Sequence, residues 1–445
     1  MQTNFTRWIG LLILLGVCAA AALLLIPVAA PAPVITQVPV AAPVQAYPPP
    51  VANTPLPTLV YAYPPPGSTQ SAAMRVPLCQ FQGAATAPEV NAVALEDYVF
   101  SEPMVVLTST TPLSIADWLP DNQRLLVTRR LPDSADEWIE TFNLVTGETK
   151  VYAQRNSGES PVWLPSLEAV AYTHAILDER LPRGGRLELR VSYGDPKNFE
   201  VVAQDVFNLS LATDGSRLLY FDRTLGDQVQ AWNFSTHSVA TTQFNLTNRA
   251  YKQNPIFQSR PGTTFKIAPQ PNGQWTAFYS FGLLYLADAQ TGQLCEIEIG
   301  DRIPYNVRWS PNGRYLAFLS ADYNSGGLYT SSKVVVLDTT TGEQVFSNLE
   351  FPVVYEIDWG LDNHTLAILV LVDVIDGGRP IKEVFLMNAA EGNTRRMLPE
   401  HWFGGGTGNE LRWSQDGRVL AIDCTQWRTK TLPSEGRVCF IEVTQ

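Results

Sequence analysis

The side chains able to do chemistry are few, and their spacing does not assemble a catalytic or metal site. Four histidines occur: His174, His237, His364 and His401. No two share the short spacing that lets imidazoles ligate one ion, and no Cys-x-x-Cys pair is present. There is no Gly-x-Ser-x-Gly elbow to present a hydrolase nucleophile. There is no P-loop or dinucleotide glycine fingerprint to cradle a phosphate. The run Asp373-Val374-Ile375-Asp376-Gly377-Gly378 starts like a calcium loop but lacks the further spaced oxygens, and it reads as a hairpin turn. His237 and His364 also fall in expected hairpin turns, where water would solvate them. The expectation is no catalytic residue, no cofactor and no metal. What remains is binding chemistry. Tyr251, Tyr323, His401, Trp402, Trp427 and Arg428 fall in long irregular stretches. Trp, Tyr and Arg join large apolar area to directional polar groups and anchor interfaces. Rings that cap the core beneath their own loops are the competing structural reading.

The elements that must carry these residues repeat. The clearest copies of one phrase are Trp309-Ser310-Pro311-Asn312-Gly313-Arg314-Tyr315-Leu316-Ala317-Phe318 and Trp413-Ser414-Gln415-Asp416-Gly417-Arg418-Val419-Leu420-Ala421-Ile422. Weaker copies begin at Trp118, Trp163, Leu211, Pro269 and Trp359. Each reads as strand, tight turn, strand. Asn-Gly or Asp-Gly tolerates the positive φ of the turn, and the apolar run after it suits a strand covered on both faces. Further strands follow, often closed by their own Thr-Gly turn, as at Thr291-Gly292 and Thr341-Gly342. Four antiparallel strands make a blade, so the sequence predicts an all-β, seven-bladed β-propeller of about 53 residues per blade. The repeat Trp side chains are expected to wedge between blades.

The phrase resembles the Trp-Ser-Pro-Asp-Gly-x-x-Leu-Ala-Phe motif of the TolB-type family of WD40-like propeller repeats, over roughly residues 100–445. The motif specifies the fold and not the role, since propellers host many unrelated functions; the resemblance implies a non-enzymatic scaffold or recognition domain unless a catalytic part is present.

The ends organise the chain. Residues 8–30 carry no charge and are long enough to span a bilayer core of about 30 Å. Arg7 precedes them, so an uncleaved signal-anchor with a cytoplasmic N-terminus is expected, a cleaved signal peptide being the rival. Residues 31–75 are a proline-rich spacer with Tyr47-Pro48-Pro49-Pro50 and Tyr63-Pro64-Pro65-Pro66 as near repeats. The propeller is expected to occupy 76–445. Its seventh repeat has three expected strands, and the strand 104–108 before the first repeat has no blade of its own. Pairing 104–108 with 437–443 would close the ring and remove an exposed edge.

Cys424 and Cys439 end and begin neighbouring expected strands, so a disulfide there is possible on an oxidising face. Cys79 and Cys295 then remain to pair with each other, and reduced, buried thiols are the alternative for all four. The net charge of −12, with Lys and Arg scattered, excludes a nucleic-acid footprint. Two functional expectations follow. The first is a membrane-tethered, extracytoplasmic propeller that binds a protein or envelope polymer without catalysis. The second is a propeller hydrolase or lyase, which convergent acids and histidines on the ring axis would favour.

Overall fold

The computed structural model describes residues 76–81, 94–156, 159–177, 185–222, 225, 228–246, 265–280, 282–300, 302–323, 329–375, 379–399, 403–404, 411–425 and 435–444. The expected anchor (8–30) and spacer (31–75) lie outside them. No helix among the described residues is long and apolar enough to cross a membrane.

The chain is all-β and forms seven antiparallel sheets, each a propeller blade. The first strands of the blades are Leu113–Trp118, Val162–Leu164, Val206–Leu211, Lys266–Pro269, Ile303–Trp309, Val353–Trp359 and Leu411–Trp413. Each meets the first strand of the next blade, and the seventh meets the first, so together they ring the axis. The core is not one mass. It is a set of apolar clusters in which neighbouring blades share side chains, as where Leu113 and Val127 of blade 1 meet Ala421, Val438 and Phe440 of blade 7.

The repeated phrase has a local reason. In blade 5 the Ser310 hydroxyl donates to Asn312 Oδ1 at 2.7 Å and accepts the Tyr315 N–H at 2.9 Å, while Gly313 takes φ +75°. In blade 7 Ser414 donates to Asp416 at 2.6 Å and accepts the Val419 N–H at 2.9 Å. Serine, carboxyl or carboxamide, and a residue of positive φ are the parts of one hydrogen-bonded turn. Blades 1 and 6 carry Asn where the phrase has Gly, at φ 53° (Asn122) and 63° (Asn363). Those side chains reach sideways: Asn122 Oδ1 accepts the Gln415 N–H, and Asn363 Oδ1 accepts the Asn312 N–H. The tryptophans also tie blades together. Trp118, Trp309 and Trp359 donate their indole N–H to the carbonyls of Arg412, Ala268 and Arg308 in the preceding blade.

The last blade is completed by the N-terminal segment. Met104–Ser109 pairs with Gly436–Thr444 through Met104↔Phe440 to Ser109↔Gly436, and Val99–Phe100 pairs farther along the same strand. Ser101 bridges the two pieces: its N–H donates to the Glu442 carbonyl and its hydroxyl accepts the Glu442 N–H. Farther back, residues 77–79 lie parallel to the outer strand of blade 4. The Cys79 N–H donates to the Glu296 carbonyl and the Glu296 N–H donates to Pro77. Leu95 and Tyr98 pack on blade 6, where the Arg395 guanidinium donates to both of their carbonyls. Residues 77–79 thus lie on blade 4, Leu95 and Tyr98 on blade 6, and 99–109 on blade 7.

One expectation is corrected. His364 is not solvated: it is 6% exposed, stands edge-on to Tyr315 at 5.7 Å, and neither ring nitrogen has a hydrogen-bond partner among the described residues. His237, by contrast, is exposed and pairs with Glu200 at 3.0 Å. Burial holds the His364 imidazole below its usual pKa; Asp362 opposes this and Arg314 adds to it. Because the folded pKa is depressed, the unfolded chain binds the proton more tightly. Stability is therefore intact above about pH 6.5 and falls as the pH drops below it. His364→Leu is expected to narrow the stability difference between about pH 8 and about pH 5, read as urea midpoints. An unchanged difference would show that His364 already titrates as it does in the unfolded chain.

Candidate functional site

Of the residues expected to form a binding face, Tyr251, His401, Trp402, Trp427 and Arg428 lie outside the described residues. Tyr323 ends the second strand of blade 5, where its backbone pairs with Tyr329. The Asp373 segment runs into a hairpin whose strands pair as far as Ile375↔Arg379. Cys424 and Cys439 are joined by a disulfide with Cα atoms 5.7 Å apart, and Cys79 and Cys295 by another at 4.7 Å.

The structure gathers a different set of residues on the ring axis. In each blade one residue immediately precedes the repeated phrase. Around the ring these are Asp117, Val162, Ser210, Ala268, Arg308, Asp358 and Arg412. One residue earlier, Ala116, Val307, Ile357 and Leu411 are buried. Alternation along a strand then turns Asp117, Arg308 and Asp358, which all keep accessible surface, toward the lumen. Bulges in the first strands of blades 1, 3 and 5 fall just before these residues, and one in blade 6 falls just before Glu356; such bulges re-aim side chains. Asn208 and Asn306 sit in two of them at positive φ, and each donates its carboxamide N–H to the next blade, to Phe265 and Tyr355.

The charged half of the ring is wired across blades. Glu356, 8% exposed, accepts Arg308 Nη2 at 3.1 Å and meets Arg412 Nη1 at 3.3 Å, so one carboxylate joins blades 5, 6 and 7. Arg412 also donates to the carbonyls of Leu411 and Ala116, the latter in blade 1. Asp358 accepts the Trp413 N–H at 2.8 Å, and Asp117 accepts that of Trp118 at 2.8 Å. Neither aspartate forms an ion pair among the described residues. Enclosure raises the Asp358 carboxyl to about 6, against the pull of Arg412 and Arg308. Asp117 is raised in the same way, with Arg412 and then the Trp118 N–H and Arg308 opposing. Asp117 keeps exposed surface, so its surroundings are crowded without being a dry core. Burial would lower the Arg308 pKa, but Glu356 and Asp358 more than offset it and raise it. Tyr279 is pushed up to about 12 by burial.

These axial residues were missed in the sequence, although a signal was present. Four of the seven copies carry a charge directly before the phrase, in the order Asp, Arg, Asp, Arg. Among the described residues no group of three or more His, Cys, Asp or Glu is placed to hold a metal.

No protein-family profile matches the chain, and no curated protein matches it. Solved structures do. An oligogalacturonate lyase in complex with manganese is similar at TM-score 0.49 and 10% identity, over 78% of this chain and 91% of that one. The β-propeller domain of Myceliophteria thermophila Cps50 (Swd1) is similar at TM-score 0.47 and 12% identity, over 76% of this chain and 98% of that one. The chain is a seven-bladed β-propeller by its own sheets, and likeness at this level extends no further than the fold.

Proposed function

We propose that this protein is a membrane-tethered, extracytoplasmic recognition scaffold of the TolB type, which binds a protein or envelope polymer without catalysing a reaction. The observation that carries this reading is how the chain enters the ring. Directly after the proline-rich spacer it is bonded to blade 4 through Cys79–Cys295, and it then completes blade 7. A covalent joint where the tether meets the ring suits a part that holds a partner against load. Two disulfides also fit an oxidising compartment. The long loops on one face are where the partner would bind. The test is a pull-down from envelope extract with the full chain, beside a Trp402→Ala, Trp427→Ala variant. A partner retained by the parent and lost by the variant supports the reading. Binding indifferent to both tryptophans removes that face from it.

A second reading, a propeller enzyme, is favoured by one observation. The Asp358 carboxyl, held at about 6, is suited to general acid–base work near neutral pH. An activity lost in Asp358→Asn while the fold is kept would move the assignment to this reading.

A further inference from the structure

We propose that the half-ring of Arg308, Asp358, Arg412 and Asp117 is a binding site for a small zwitterion of the α-amino-acid type, held inside the central channel. The channel wall at this level is lopsided. One half, from blade 5 through 6 and 7 to 1, alternates in charge around the ring. The residues at the same positions in the other half, Val162, Ser210 and Ala268, are neutral, and the nearest charge there is Glu159, which accepts the Leu209 N–H. The ion pairs of the charged half are unevenly spent. Both arginines give theirs to Glu356. Among the described residues Asp358 and Asp117 receive only backbone N–H donors, which leaves each carboxylate with acceptor capacity. Arg412 is held by Glu356 and two carbonyls and is 9% exposed, so it serves as framework. The Arg308 side chain is 37% exposed, and its Nε is buried with no hydrogen-bond partner among the described residues, so it keeps donor capacity beyond Glu356.

A ligand of one sign fits this wall poorly. A lone anion at Arg308 stands beside Asp358, and a lone cation at Asp117 stands beside Arg412. An ammonium turned to Asp117 and Asp358, with a carboxylate turned to Arg308, meets complementary charge at both ends. Inside an enclosed lumen such charge-assisted hydrogen bonds are stronger than in water. The body of the ligand then lies toward Val162, Ser210 and Ala268, which are only partly buried.

The test is calorimetric titration of the full chain with glycine and alanine, and with two analogues that each lack one charge, N-acetylalanine and alaninamide. Alanine or glycine is expected to bind, and each analogue to bind at least about tenfold more weakly. Asp117→Asn, which can still accept the Trp118 N–H through its carboxamide oxygen, is expected to weaken alanine by about tenfold. Ala268→Leu, which fills the neutral half, is expected to abolish binding. Thermal unfolding and circular dichroism confirm that both variants keep the fold. Three results would overturn the proposal: no binding of glycine or alanine at millimolar concentration, equal binding of alanine and its one-charge analogues, or alanine binding indifferent to both substitutions.

Discussion

Glu356→Gln is expected to lower stability by about 3–5 kcal/mol, the usual loss when one partner of a buried ion pair is removed. Glu356 is the single carboxylate shared by Arg308 and Arg412, on a strand between the two that carry them. Without it, two guanidinium groups lose their ion-pair partner and the link between blades 5, 6 and 7 opens. A neutral carboxamide can accept one hydrogen bond but cannot balance the charge. The same change has a second signature. Glu356 adds to the upward push on Asp358, so its loss moves the Asp358 carboxyl down from about 6. A carboxyl raised in the folded state contributes stability that is present below its unfolded pKa and lost as the pH rises through the folded value. The parent is therefore expected to lose that contribution between about pH 4 and pH 6, and the variant to lose less of it. Chemical unfolding across that range measures both effects. A loss below about 1 kcal/mol, the usual worth of an exposed pair, would mean that water already screens the bridge.

The second large effect concerns the covalent joint. Cys79–Cys295 closes a loop with a sequence separation of 216, whereas Cys424–Cys439 closes one of 15. Chain-entropy reasoning assigns about 5 kcal/mol to the long loop and about 3 kcal/mol to the short one, and measured disulfides commonly deliver 2–4 kcal/mol. The Cys79→Ser, Cys295→Ser variant is thus expected to lose about 2–4 kcal/mol, and more than the Cys424→Ser, Cys439→Ser variant. The mechanism predicts where the loss appears. The Cys79 N–H, bonded to the Glu296 carbonyl, should exchange faster with solvent deuterium. The Ser101–Glu442 bridge beyond it follows if the joint shields the closing strands. A larger loss from the short-loop pair would show that the joint acts through local packing rather than through the length of chain it constrains.

The two variants divide what was legible in the sequence from what was not. The blade count was legible because it rests on short-range chemistry. A serine, a carboxyl or carboxamide two residues on, and a residue of positive φ after it form one turn, and that turn recurs at a regular spacing. The strand before the first repeat was visible as one without a blade, and the structure shows its hydrogen bonds going to Gly436–Thr444. Cys424 and Cys439 were a readable pair because Cys424 directly follows the strand Val419–Asp423, which pairs with the strand that carries Cys439. The exposure of His364 was misjudged because a turn position says nothing of what the neighbouring elements lay over it; Tyr315, on the preceding blade, covers the ring.

The axis was decided by tertiary structure alone. Asp117 and Arg412 are far apart in sequence, and they become neighbours only because blade 7 closes on blade 1. Arg308 and Glu356 meet only because successive blades are wedged side by side by Trp359. The charges before the phrase were in plain view at Asp117, Arg308, Asp358 and Arg412. Their meaning was not, because a strand's alternation tells which residues share a face but not which face looks into a lumen. The pairing of Cys79 with Cys295 was settled the same way. A contact across 216 residues has no local signature, and it exists because the segment 77–79 finds the open edge of blade 4 and hydrogen-bonds along it.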